Sequence, residues 1–127
     1  MTTSAPTTSE DLAACCPPVT GGVLAEESAH RLARMFKALS DPTRVRLLSM
    51  IAAQPGREAC VCDLTEPVGL SQPTVSHHMR QLVEAGLVSR TQRGRWAFYA
   101  VEPDTLAVLS RALEPGPAEP SATPAGC

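Results

Sequence analysis

The sequence predicts a mainly α fold carrying one small β-hairpin (an α+β chain), and three observations predict it. Apolar residues recur at three- and four-residue intervals through most of residues 26–86. Asp41-Pro42, Gly69, Ser71 and Gly86 interrupt that pattern at helix-length spacings. Beyond Gly86 the period falls to two, and the runs LVSRTQ and RWAFYAV flank a turn at Arg93, Gly94 and Arg95.

Taken in order, a first helix runs from about Glu26 to Leu39, with Leu32, Met35, Phe36 and Leu39 on one stripe. Asp41 supplies the N-cap of a second helix and Pro42 sits in its tolerated first turn. That helix extends to Ala53 with Val45, Leu47, Leu48 and Ile51 as its buried positions, until Gln54, Pro55 and Gly56 break it. A short third helix begins near Cys62, reaches Glu66 and stops at Gly69. Ser71 caps a fourth, which turns Val75, Met79, Leu82 and Val83 inward and leaves Gln72, Thr74, Ser76, His77 and Arg80 outside; Gly86 closes it. After the hairpin a last helix spans Pro103 to Leu113. Helix, turn and helix followed by a basic hairpin make a winged helix-turn-helix.

At 127 residues the chain suffices for one domain with its own core. Composition divides it into an N-terminal arm over 1–22 carrying Cys15 and Cys16, a folded domain over 23–114, and a Pro/Ala-rich tail over 115–127. Arm and tail are expected to be disordered. No apolar run approaches the roughly 20 residues that cross a bilayer, and no basic stretch followed by an apolar block opens the chain, which places the protein in the cytoplasm with no membrane partner.

The net charge of −2 argues against a nucleic-acid partner until it is divided along the chain. Residues 30–101 hold ten Arg or Lys against five acids, while both flanks are acidic. A basic centre is an acceptable footprint for double-stranded DNA. A helix in a major groove needs short donors and acceptors near its N-terminus, where side chains reach base edges and the positive helix end meets phosphate. Ser71, Gln72, Thr74, Ser76 and His77 meet that need, Gln72 best, because its amide can pair bidentately with adenine. Arg80 follows on the same helix, and Arg93 and Arg95 stand at the hairpin tip for phosphate or the minor groove. His77 and His78, about 100° apart on a helix, cannot both face DNA and make a poor zinc pair; His30 stands alone on the first helix.

Four of the five cysteines fall into two tight pairs, Cys15 with Cys16 and Cys60 with Cys62, and Cys127 ends the tail. Thiolates select soft ions, and Cys without His suits As(III), Sb(III), Cd(II) or Pb(II) as well as Zn(II). Residues two apart diverge on a helix but share a face in extended chain, so Cys60 and Cys62 belong at a partly unwound helix start, where the helix N-terminus favours the thiolate.

These segments resemble the ArsR/SmtB family over about residues 30–110. FKALSDPTRVRLLSMI looks like its first helices, ACVCDL like its helix-three metal motif, SQPTVSHHMRQLVEAGLV like its recognition helix and RGRWAFYAV like its wing. The resemblance implies a homodimeric repressor that holds operator DNA without metal and releases it when metal binds. It implies an interface built from the first and last helices, hence from Leu32, Met35, Phe36, Leu106, Leu109 and Leu113. Arsenic-sensing members carry a further Cys three residues after the second; here that position is Thr65. A third thiolate must come from elsewhere, and Cys15 or Cys16 could reach across the dimer, a design also seen in cadmium and lead sensors of the family. Zinc and nickel sensors use His and carboxylates on the last helix, and residues 102–113 contain no His. As(III) or Sb(III) on three thiolates is favoured over Cd(II) or Pb(II) on four, because vicinal cysteines strain a fourfold site.

Two other readings compete. The thiols could form a redox switch that releases DNA without metal, or a structural zinc site whose removal unfolds the domain. An enzyme finds no support: the chain has no Gly-rich phosphate loop, no Cys-x-x-Cys and no acid, base and nucleophile set, and no organic cofactor is expected.

Overall fold

The computed structural model describes residues 18–115, so Cys15, Cys16, Cys127 and most of the expected arm and tail lie outside the described residues. The elements are α1 (Glu26–Ala38), α2 (Pro42–Ala52), a 3-10 turn (Pro55–Arg57), β1 (Glu58–Cys60), α3 (Val61–Val68), α4 (Gln72–Glu84), β2 (Val88–Arg93), β3 (Trp96–Val101) and α5 (Pro103–Ala112). They fall into two units, one of residues 34–102 and one holding the remainder.

In the first unit α2 packs on α3, α4 and β3, and α4 packs on α3 and β2. Leu47, Ile51, Leu64, Val75, Met79, Leu82 and Leu87 are fully or almost fully buried there. The spacings of Val75, Met79 and Leu82 on α4, and of Leu47 and Ile51 on α2, are the three- and four-residue steps that put side chains on one helix face. Val45, expected in the core, is 46% exposed, and Leu48 is half-buried. Val45 lies about 200° round the helix from Leu47, so α2 cannot bury both against the same layer.

The expected hairpin is part of a three-stranded antiparallel sheet of order β1-β3-β2. β1 was not foreseen: it is three residues long and pairs Glu58 with Ala100, Ala59 with Tyr99 and Cys60 with Phe98. Across the other edge the ladder runs from Val88 opposite Val101 to Arg93 opposite Trp96. Gly94, at φ 63°, supplies the left-handed conformation that the tight turn requires.

Capping follows the expected residues. The Asp41 carboxylate accepts from the Thr43 amide at 2.7 Å and the Arg44 amide at 3.4 Å. Burial alone would raise the Asp41 carboxyl, but those amides, then Arg44 and His78, outweigh it and hold it below its ordinary value. Such a lowered carboxylate stabilises the fold fully above its unfolded value and loses that contribution as pH falls through the folded one. Urea unfolding from pH 7 to pH 2 is therefore expected to show a shallower acid loss for Asp41→Asn, which keeps a cap and removes the charge.

α3 ends at Gly69, whose φ of 74° lets its amide reach the carbonyls of Thr65 and Glu66. A Cβ there meets no heavy atom within 4 Å, so only the backbone resists substitution. Gly69→Ala is expected to lower stability by about 1 kcal/mol, and Gly69→Asn by less, in denaturant unfolding.

The second unit, over the described residues, contains 18–33 and α5. Its Leu32, Val108, Leu109 and Ala112 are buried. Residues 19 and 20 close on the end of α5: the Val19 amide donates to the Ala112 carbonyl at 2.9 Å and the Thr20 hydroxyl to the Glu114 carbonyl at 3.0 Å. Those bonds satisfy carbonyls that the helix terminus leaves without partners. Among the described residues no helix is long and apolar enough to cross a membrane.

Candidate nucleic-acid interface and thiol pair

Cys60 ends β1 and is the N-cap of α3, with extended backbone at φ −76° and ψ 147°. Its Sγ accepts the Cys62 amide at 3.2 Å, occupying the place that a Ser or Asp oxygen takes in other caps. The extended residue turns the two side chains together, and Cys60 and Cys62 are joined as a disulfide, with Cα atoms 5.2 Å apart. Cys60 is 3% exposed, whereas Cys62 faces solvent. Thr65, where a further thiol would complete an arsenic motif, uses its hydroxyl on the Cys62 carbonyl at 3.4 Å. When reduced, the pair offers two soft donors that converge on one point, which suits a thiophilic ion. Among the described residues no three His, Cys, Asp or Glu side chains gather to hold a metal, so the pair needs a further donor.

α4 begins at Ser71, whose hydroxyl accepts the Thr74 amide at 3.4 Å and bonds the Thr74 hydroxyl at 3.0 Å. Gly86 ends the helix at φ 80°: its amide bonds the Val83 carbonyl and the Leu87 amide the Leu82 carbonyl, a Schellman closure. The expected DNA-reading residues then divide by helical angle. Gln72, Ser76 and Arg80, four residues apart, form one stripe, and Thr74 and His77 lie on another, exposed to solvent. Ser71 and Thr74 already use their hydroxyls on each other.

The stripe of Gln72, Ser76 and Arg80 forms one wall of a cleft of about 420 Å³, and Arg90, Gln92, Arg95 and Trp96 of the hairpin form the other. Three arginines thus face one concavity with no carboxylate on its lining, an arrangement suited to a phosphate backbone. Val61, the residue between the two cysteines, lines the same cleft.

Arg93 is already engaged within the sheet. Its guanidinium is bound bidentately to Glu58, at 3.0 and 2.6 Å, and lies 4.5 Å from the Phe98 ring centre. Arg95 remains exposed. Arg90, Gln92 and Trp96 were missed in the sequence, although Arg90 and Gln92 alternate on one strand and so share a face. Arg90 donates to the Gln92 side chain at 2.6 Å.

The histidines separate as their spacing requires. His77 is exposed, while His78 is half-buried, with Nδ1 3.2 Å from Arg44 Nη1. Arginine has only donors, so a hydrogen bond between the two requires Nδ1 as the acceptor. Arg44 also bonds the Ala38 carbonyl at 2.6 Å, closing the end of α1. His30 is a surface residue 3.6 Å from Glu26.

Residues 41–90, from the α2 cap into β2, match the model of the bacterial regulatory protein arsR family. The arsenical resistance operon repressor of Staphylococcus xylosus is 36% identical over 87 residues, covering 68% of this chain and 81% of that one. This chain belongs to the arsR family. Another member, the arsenic resistance transcriptional regulator ArsR1 of Pseudomonas putida, is 43% identical over 70 residues, which span 55% of this chain and about half, 53%, of that relative. In three dimensions the chain is similar to the AntR antimony-specific transcriptional repressor, with a TM-score of 0.59 and 28% identity over 70% of this chain and 79% of that one. The fold is therefore the winged helix-turn-helix of the arsR family, with α4 as its second helix and β2–β3 as its wing.

The six residues expected at an arsR-type interface differ in how much surface they offer. Leu32, Met35 and Leu109 are buried within the chain itself. Phe36 and Leu106 are half-buried, and Leu113 is 62% exposed.

Proposed function

We propose that this arsR-family chain is a cytoplasmic transcriptional repressor that grips double-stranded operator DNA as a homodimer and releases it when cysteine thiolates take up As(III) or Sb(III). The single observation that carries the reading is the position of Val61: the residue held between Cys60 and Cys62 lines the cleft shared by α4 and the wing. A rearrangement of the thiol pair acts on the floor of that cleft through Val61, a core residue only 3% exposed.

Cys60 and Cys62 supply two thiolates, and Cys15 or Cys16 of the same or the other protomer supplies the third. Arsenous acid condenses with three thiols, one water leaving for each sulfur–arsenic bond. Relatives named for arsenic and antimony support this effector class, and the absence of His from residues 102–113 speaks against a zinc or nickel site there. Gln72 and Ser76 read bases, Arg80, Arg90 and Arg95 hold phosphate, and two copies of α4 enter successive major grooves about 34–36 Å apart. Phe36, Leu106 and Leu113 supply the surface for the second copy.

A second reading rests on the Cys60–Cys62 disulfide. Two thiols and one peroxide give that disulfide and two waters, and the same change at Val61 releases DNA without any metal. The experiment that tests both is release of a duplex selected from a random library by the reduced protein. Arsenite, cadmium and peroxide in metal-free buffer are each titrated against it. Release by arsenite at stoichiometric concentration supports the first reading, and release by peroxide alone moves the assignment to the second. Release by cadmium and not arsenite moves it to a four-thiolate Cd(II) or Pb(II) sensor, and no response to any of the three overturns the proposal.

A further inference from the structure

Glu58, Cys60, Phe98 and Arg93 occupy one face of the sheet. Cys60 stands directly opposite Phe98, Glu58 opposite Ala100 and Arg93 opposite Trp96, and alternate residues of a strand share a face. The Arg93 side chain crosses the Phe98 ring to reach Glu58, so the wing tip is tied over the central strand to the first strand. β1 is only three residues long, with Glu58 two positions, about 7 Å, from Cys60. So short a strand has little room to absorb a movement of its last residue before its first.

We propose that Glu58 controls the availability of Arg93 to DNA according to the state of the thiol pair, a proposal that rests on reading Cys60 and Cys62 as the effector thiols. The structure combines a closed sulfur pair with an Arg93 engaged by carboxylate. In the open, reduced pair the end of β1 relaxes, Glu58 withdraws, and the guanidinium passes to a phosphate. Closing the pair on an effector re-forms the bidentate contact and removes one cation from the DNA surface. The exchange is feasible because both partners are partly solvent-exposed, at 50% and 30%, and a phosphate offers arginine the same two-pronged geometry as a carboxylate. Glu58 is thus a positioning residue that competes with DNA for a wing arginine.

The test is the salt dependence of operator affinity for the full chain, reduced, with and without arsenite, in wild type, Glu58→Gln and Arg93→Gln. Each phosphate contact contributes about 0.9 to the slope of log affinity against log salt. Arsenite is expected to lower the wild-type slope by about 1.8, one such contact from each protomer of the dimer, roughly a twelvefold effect between 50 and 200 mM salt. Glu58→Gln should keep the effector-free contribution in both states, and Arg93→Gln should lack it in both. Arsenic–thiolate absorption verifies loading, and Trp96, the one tryptophan of the chain and the residue opposite Arg93, reports the wing by its emission. A wild-type slope unmoved by arsenite, or a Glu58→Gln slope that falls as the wild type's does, overturns the link. So does loss of arsenite uptake in Glu58→Gln, since Glu58 then acts on the thiols and not on the wing. If arsenite leaves wild-type operator affinity unchanged, the proposed function itself fails; if it releases the operator with equal slopes, only the link fails.

Discussion

Replacing Arg80, Arg90 and Arg95 together by Gln is expected to weaken operator binding by the homodimer roughly ten-thousandfold at 0.15 M salt, with the loss disappearing as salt approaches 1 M. Two protomers with three phosphate contacts each, every contact contributing about 0.9 to the salt exponent, give that figure. The three arginines line one cleft with Gln72 and Ser76 and without a carboxylate, so each is free to meet an anion. Their substitution leaves the core untouched, because Arg80, Arg90 and Arg95 are all exposed. Gln72→Ala in the same assay separates the two kinds of contact. It is expected to cost about 1–3 kcal/mol per half-site on the selected duplex and little on random DNA, because an amide reads a base while a guanidinium on phosphate does not. Anisotropy titrations on both duplexes at three salt concentrations measure it. A triple variant with the wild-type salt slope would mean that the cleft does not face DNA.

The helices were legible because their signals are local. Asp41-Pro42, Ser71, Gly69 and Gly86 each place a cap or a left-handed residue where the chain must turn, and the structure uses all four so. β1 was not legible, since three residues carry no periodicity and its partner β3 lies almost forty positions away. Glu58 hid for the same reason, as nothing near it in sequence foretells a contact with Arg93. On the helices, Leu32, Met35 and Leu109 follow the spacing of interface and core alike, and all three are buried within the chain. The CVC spacing correctly placed both sulfurs at an unwound helix start, with Cys60 as the extended cap. Cys15 and Cys16 lie outside the described residues, and their part in the site is a matter of chemistry in solution.

Cys60→Ser and Cys62→Ser are each expected to abolish release by arsenite, collapsing a coupling of about 5–150-fold to none while the effector-free protein still binds its operator. Serine suits this test well: at position 60 its oxygen can accept the Cys62 amide as the sulfur does, so the cap of α3 survives while the soft donor is lost. Reciprocity adds a check without a transcription assay, because operator DNA must weaken arsenite uptake by the same factor that arsenite weakens DNA binding. The arm cysteines then count the thiolates. A three-thiolate site needs only one of the vicinal pair, so one of Cys15→Ser and Cys16→Ser is expected to retain release by arsenite. A four-thiolate cadmium or lead site needs both. A disulfide switch needs neither, and peroxide would release the Cys15→Ser/Cys16→Ser double variant as it does the wild type. The pattern over four single variants and one double variant, read as effector-dependent change in anisotropy, therefore assigns the donor set. Arsenite release that persists in both Cys60→Ser and Cys62→Ser would remove the thiol pair from the mechanism altogether.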